Sequence, residues 1–164
     1  MLRKFYVGCV LVAFSALANA QAPAPACTAA EHHQFDFWLG DWDVKTPDGK
    51  PAGSNHIEAI AKGCALLENW TGAKGGTGKS LNIYDASRKL WHQTWVDSTD
   101  TLLKLDGGFR DGKMILENPG NRITWTPRAD GTVTQVWETT ADEGKTWTVG
   151  FDGIYKRVKA KKTP

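Results

Sequence analysis

The chain has 164 residues, and its 20 Lys and Arg residues nearly balance its 18 Asp and Glu residues, leaving a formal net charge of +2. This balance argues against a nucleic-acid-binding protein, which would carry basic residues throughout its body. The length is that of one ordinary domain with a hydrophobic core.

The first segment predicts export. Residues 1–4 form a short basic start, residues 5–17 form an apolar run, and Ala18-Asn19-Ala20 is a small-x-small cleavage pattern. Together these features are typical of a signal peptide. The apolar run is shorter than the roughly 20 residues that span a bilayer. We therefore expect a periplasmic or secreted protein with a signal peptide at residues 1–20 and no stable membrane insertion after cleavage.

The rest of the chain divides into three parts. Residues 21–34 begin with an Ala- and Pro-rich stretch and predict a flexible leader. Residues 35–158 predict a single domain, and the basic residues 159–164 predict a solvated tail. After cleavage two cysteines remain, Cys27 and Cys64. In an oxidising compartment we expect them to form a disulfide, although two free thiols remain the alternative.

The pattern of the domain is strand, turn, strand. Asp-Gly and Asn-Pro-Gly sequences that favour turns separate short runs rich in Thr, Val, Ile and Trp, in which polarity alternates. About nine or ten strands at regular spacing predict an all-β fold, an antiparallel up-and-down barrel in which closure removes exposed edges. The predicted strands include residues 81–84, 90–96, 123–126, 132–138 and 146–151, and the predicted turns include Asp106-Gly107-Gly108.

The domain starts with Phe35-Asp36-Phe37-Trp38-Leu39-Gly40-Asp41-Trp42. Its Gly-x-Trp step resembles the signature of lipocalin-type, or calycin, barrels. The resemblance implies that Gly40 allows a tight approach to the first strand and that Trp42 plugs one end of the barrel. It also implies that Arg157, in a closing strand, packs over Trp42 as a cation–π pair.

The domain is also similar to a family of small secreted bacterial domains of unknown function. The shared motifs are the Phe-Asp-Phe-Trp-x-Gly-x-Trp start, Gly63-Cys64, the Trp-x-Gln-x-Trp-Val-Asp sequence at residues 91–97, and Thr-Trp…Phe-Asp-Gly-x-Tyr at residues 146–155. This similarity implies a lipocalin-like fold but no particular activity, because a fold does not determine a function.

Two sequence features resemble known kinds of site, a phosphate-binding loop and a metal site, but lack what those sites require. Residues 74–80, Lys-Gly-Gly-Thr-Gly-Lys-Ser, lack the first glycine of a phosphate-binding loop, and a strand pattern follows them where a helix is required. We read them as a flexible loop. His32 and His33 are the only clustered histidines, and we interpret them as a flexible surface pair. The sequence thus indicates no cofactor, no metal site and no catalytic triad.

In three predicted strands a Glu or Gln lies two positions from a Trp, so the two side chains share one face of the strand. If that face points into the barrel, the interior has a lining that suits a small ligand. The residues predicted to line a pocket for a small apolar or amphipathic molecule are Glu68, Trp70, Trp91, Gln93, Trp95, Gln135 and Trp137. Two alternatives remain open. One is a structural or interaction module whose core is filled, and the other is a hydrolase or isomerase that uses His92 or Glu68 as acid or base in the barrel mouth. The sequence leaves the oligomeric state open.

Overall fold

A computed structural model describes residues 27–158, which form ten β-strands. Polar and apolar residues alternate along these strands. In β1, for example, Trp42 and Val44 are buried while Asp41, Asp43 and Lys45 are exposed. The strands are β1 Gly40–Lys45, β2 Pro51–Ile60, β3 Ala65–Gly72, β4 Thr77–Asp85, β5 Leu90–Asp97, β6 Leu102–Arg110, β7 Lys113–Asn118, β8 Asn121–Pro127, β9 Val133–Thr139 and β10 Thr148–Arg157. Three short 3₁₀ turns accompany them, at Ala30–His33, Asp36–Trp38 and Ala61–Gly63.

Each strand pairs antiparallel with the next, and β1 pairs with β10 to close the sheet into a barrel. In that closing pair Trp42 lies opposite Arg157, and Val44 lies opposite Tyr155. The predicted up-and-down β-barrel is confirmed, and its architecture fits a lipocalin-like barrel. Because the sheet closes on itself, no strand is left with an unpaired edge.

The two ends of the barrel differ. The odd-numbered strands begin at one end, which we call the closed end, and they finish at the other, which we call the mouth. Residues 27–39 cover the closed end. Phe35 and Trp38 are fully buried there, and their rings lie 5.0 Å apart. Both rings also contact Trp125 inside the barrel, at centroid distances of 5.1 and 5.3 Å. Residues 35–38 therefore form an aromatic plug.

A disulfide ties the chain to the closed end. Cys27 is bonded to Cys64, which follows the 3₁₀ turn between β2 and β3, and the two Cα atoms are 5.2 Å apart. The predicted pairing is thus confirmed. Residues 27–34, the described part of the predicted leader, lie against the barrel, where the backbone carbonyl of Glu31 accepts a hydrogen bond from Trp91 Nε1 at 3.2 Å.

Arg157 holds the plug in place. Its guanidinium carbon lies 4.3 Å from the centroid of the Trp42 ring. Its two terminal nitrogens donate to the backbone oxygens of Leu39 and Phe37, at 2.6 and 3.2 Å. The Trp42 indole nitrogen donates in turn to the backbone oxygen of Trp38 at 2.8 Å. Two features require a glycine at position 40. Its φ is +119°, which side chains disfavour, and a Cβ atom there would lie 2.6 Å from an Arg157 nitrogen.

We expect Gly40→Ala to lower the free energy of unfolding by about 1–3 kcal/mol, because the positive φ strains an alanine and the methyl group displaces Arg157. Urea denaturation measures the loss. Gly49→Ala is the matched control, since Gly49 has a φ of +84° and open space around its Cβ position. Equal losses in the two variants would show that the contact between Gly40 and Arg157 contributes nothing.

Three local predictions need correction. Asp106-Gly107-Gly108 is not a turn, because these residues lie inside β6. Gly107 is required there by close packing, since a Cβ atom would lie 2.1 Å from the backbone oxygen of Ile115 on β7. Thr146 and Trp147 precede β10 instead of starting it. The predicted flexible loop at residues 74–80 is a loop only at its start, because β4 begins at Thr77.

No helix between residues 27 and 158 is long and apolar enough to cross a membrane. The predicted signal peptide at residues 1–20, the first part of the leader at residues 21–26 and the basic tail at residues 159–164 lie outside the described residues.

Candidate functional site

The barrel contains a cavity of about 370 Å³ between the aromatic plug and the mouth. Glu68, Gln93 and Gln135 are buried in its wall, whereas Thr139 and Gly150 are exposed at the mouth. Its lining is Glu68, Trp70, Gln93, Trp95, Leu103, Ile123, Trp125, Gln135, Trp137, Thr139, Gly150, Phe151 and Tyr155. The lining therefore combines an aromatic wall with a few polar groups.

Three strands build this lining with the same short pattern, a Glu or Gln followed two residues later by a Trp. The pattern occurs in β3, β5 and β9, which all run from the closed end to the mouth. Residues two apart on a strand share a face, so both members of each pair point inward. In each pair the polar residue is buried and the Trp, nearer the mouth, is partly exposed. The pairs are Glu68 with Trp70, Gln93 with Trp95, and Gln135 with Trp137.

Six of the seven predicted pocket residues thus line the cavity together, and Trp91 does not. Trp91 also points into the barrel, but it lies at the start of β5, beside the aromatic plug. Its ring packs edge-on against Phe35 at 5.6 Å, and its indole nitrogen is 3.3 Å from Gln34 Oε1. Trp91 therefore lies at the closed end. The prediction included it because alternation along a strand indicates which face a residue lies on, but not how deep in the barrel it lies.

A chain of hydrogen bonds crosses β5, β4 and β3 in the barrel interior. Gln93 donates to Asn82 Oδ1 at 2.8 Å, and Asn82 donates to Ser80 Oγ at 2.8 Å. Ser80 then donates to one carboxyl oxygen of Glu68 at 2.6 Å. The other oxygen of Glu68 accepts from Asn55 Nδ2 at 2.7 Å. All five side chains are buried, so the network fixes the position of Glu68 in the cavity wall.

Burial raises the pKa of Glu68 from 4.5 to about 7, although the hydrogen bonds from Ser80 and Asn55 act in the opposite direction. Glu68 therefore exchanges its proton near neutral pH. Burial, together with the nearby charge of Glu68, raises the pKa of Tyr155 well above its usual value. Tyr155 stays protonated, and its hydroxyl donates to Gln135 Oε1.

Part of this site was not predicted from the sequence. Ser80 and Asn82 face inward from β4, while their neighbours Leu81 and Ile83 are 51% and 41% exposed on the outer surface. The available signal was the spacing of Ser80 and Asn82, two residues apart in a strand pattern. Trp125, Phe151 and Tyr155 complete the aromatic wall, and their depth depends on the barrel's closure.

His92 lies outside the cavity. It alternates with Trp91 and Gln93, which point inward, and its ring nitrogens contact Asp106 Oδ1 at 2.7 Å and Thr94 Oγ1 at 2.9 Å. His33 pairs with Asp36 at 2.8 Å, and the His32 ring lies edge-on to Tyr84 at 5.1 Å. Within residues 27–158, no three His, Cys, Asp or Glu side chains are grouped so that they could hold a metal ion.

Comparison with models of protein families gave no match, and comparison with curated proteins gave none either.

Proposed function

We propose that this barrel binds a small, largely apolar or amphipathic molecule in the cavity at its mouth. The observation that carries the proposal is the cavity itself, about 370 Å³ in volume with an aromatic wall and three inward-facing polar side chains. Small-molecule sites have volumes of roughly 300–1,000 Å³ and this kind of lining, in which a few polar groups orient the ligand. The fixed network around Glu68 supplies such groups.

The same cavity weighs against the other two hypotheses. A purely structural module would fill its interior with side chains, because protein cores are closely packed. An acid or base at His92 is not favoured, since its ring faces away from the cavity. Within residues 27–158 Glu68 is the one carboxyl group that lines the cavity. The lining residues that bear a hydroxyl group are Thr139, which is exposed at the mouth, and Tyr155, which stays protonated. Binding is therefore the function that this geometry supports best.

Export is part of the proposal. The disulfide between Cys27 and Cys64 supports it, because such bonds persist mainly in oxidising compartments. The signal-like sequence of residues 1–20 supports it independently. The Gly-x-Trp start and the cation–π contact of Arg157 with Trp42 also support membership of a calycin-like family. We propose a periplasmic or secreted carrier or receptor of this type.

The uncharged probe N-phenyl-1-naphthylamine tests binding, since its fluorescence rises in an apolar site. We expect Trp95→Ala to weaken its binding about 10-fold, because removal of an aromatic wall residue loses on the order of 1.4 kcal/mol of contact energy. Trp147→Phe is the control. Trp147 lies outside the cavity, 4.2 Å beneath the Arg122 guanidinium. The proposal is wrong if the wild-type protein does not bind the probe, or if both variants weaken binding equally.

Native mass spectrometry of the mature protein purified from its own envelope provides a second test. We expect a bound species of low molecular mass that is lost in Trp95→Ala and kept in Trp147→Phe. Ligand extracted from the complex would then be identified directly.

A further inference from the structure

The hydrogen bonds around Glu68 all point towards its carboxyl group. Ser80 accepts from Asn82 at 2.8 Å and from Gln93 at 3.3 Å, so its own proton is directed to Glu68. Asn55 donates to the second oxygen. Each carboxyl oxygen therefore faces a donor. This arrangement suits an ionised carboxylate, which only accepts hydrogen bonds, better than a protonated acid, which must also donate one.

No cation of the described chain neutralises that carboxylate. The cavity lining in residues 27–158 contains no Lys, Arg or His side chain. The salt bridges of the described residues all involve other carboxylates. A buried carboxylate without a cationic partner is unfavourable, and a charge brought by a ligand would compensate it.

The remaining lining is suited to a cation. Six aromatic side chains surround the same space, and the negative faces of such rings attract ammonium groups, which they also shield from water. The six are Trp70, Trp95, Trp125, Trp137, Phe151 and Tyr155. Rings and a carboxylate that line one cavity recur where proteins recognise alkylated ammonium groups, because the rings take the methyl groups and the carboxylate takes the charge.

We propose that the ligand of this cavity carries an ammonium group, which lies against Glu68 inside the aromatic wall while the apolar part of the ligand extends to the mouth. This inference names the ligand class of the binding function proposed above and rests on that function. A neutral ligand would leave the carboxylate uncompensated, and an anionic ligand would be repelled by it.

The ionisation of Glu68 makes the binding of a cation depend on pH. The neighbouring strands β2 and β4 face Glu68 with the uncharged Asn55 and Ser80, and β5 and β9 contribute the amides of Gln93 and Gln135. Tyr155 on β10 is the other titratable side chain in the described lining, and it stays protonated. Glu68 is therefore the group that controls the charge of the cavity at neutral pH.

Benzyltrimethylammonium is the probe for this test, because a quaternary ammonium does not itself titrate. Neopentylbenzene has the same shape without the charge. Isothermal titration should show tighter binding of the cation than of the neutral compound at pH 8.5. With the pKa of Glu68 at about 7, the ionised fraction rises about 30-fold between pH 5.5 and pH 8.5, and affinity for the cation should rise in proportion.

Glu68→Gln should remove the pH dependence and reduce the preference for the cation to the part that the aromatic rings supply, while it keeps the shape of the cavity. Glu58→Gln, on the exposed outer face of β2, is the matched control and should retain both. The inference is overturned if the two compounds bind equally well at pH 8.5, or if Glu68→Gln prefers the cation as strongly as the wild-type protein does. In either case binding of N-phenyl-1-naphthylamine would leave the general binding function standing, whereas failure of that probe to bind would overturn the binding function together with the inference that rests on it.

Discussion

Replacing Cys27 and Cys64 together by serine should lower the free energy of unfolding by about 4 kcal/mol. The disulfide joins residues separated by 37 positions, and a crosslink that closes a loop of this length restricts the unfolded chain by about that amount. The loop contains the aromatic plug, β1 and β2.

Guanidinium denaturation of the mature protein, with and without a thiol reductant, measures this effect. Reduced wild-type protein should match the double serine variant, and reductant should not change the variant at all. At low denaturant, binding of the uncharged probe should persist in both, because the cavity lies at the opposite end of the barrel from the disulfide. A loss below about 1 kcal/mol would show that the plug holds the closed end without the crosslink.

Stability should fall as the pH rises through neutrality, because Glu68 is held in a buried site. Its pKa is 4.5 in the unfolded chain and about 7 in the folded protein, so between these values the folded state binds more protons than the unfolded state. The free energy of unfolding therefore decreases in this window and levels off above it. The difference between the two pKa values corresponds to a decrease of about 3 kcal/mol between pH 4 and pH 8.5.

Glu68→Gln isolates this contribution, since other groups titrate equally in both proteins. Urea denaturation across the pH range should show the wild-type protein losing about 3 kcal/mol relative to the variant as the pH rises. Glu58→Gln should follow the wild-type curve. Saturating benzyltrimethylammonium should restore part of the stability that the wild-type protein loses at high pH. Parallel curves for wild type and Glu68→Gln would contradict the prediction, because they would mean that water or a rearrangement removes the cost of burying the carboxylate.

Much of the fold was predictable because local chemistry determines it. Asp-Gly and Asn-Pro-Gly sequences mark four of the nine connections between strands, and the alternation around Trp42 and Val44 predicts an inward face. The strand limits were less certain where close packing, not a turn, requires a glycine. Gly107 is such a case, because the partner that excludes a side chain, the Ile115 backbone, belongs to another strand.

The site was predictable only in part. Strand parity placed Glu68 with Trp70 and Gln93 with Trp95 on common faces, and these residues share the cavity. Parity could not separate Trp91 from them, since depth depends on which end of the barrel is plugged. It was also ambiguous in β4, where the apolar Leu81 and Ile83 point outward and the polar Asn82 is fully buried. The network partners of Asn82 lie on other strands, which a single strand's pattern does not reveal.

The pairing of β1 with β10 also sets the order in which the barrel can assemble. Until β10 is in place, β1 and β9 each carry an unpaired edge, and such edges are prone to pair with other chains. Closure joins the most distant strands in the sequence, so we expect a slow final folding step, as in other barrels rich in long-range contacts. Arg157 lies on β10 and can donate its hydrogen bonds to the Phe37 and Leu39 carbonyls only after β10 has paired with β1. The contact that secures the plug is therefore among the last to form.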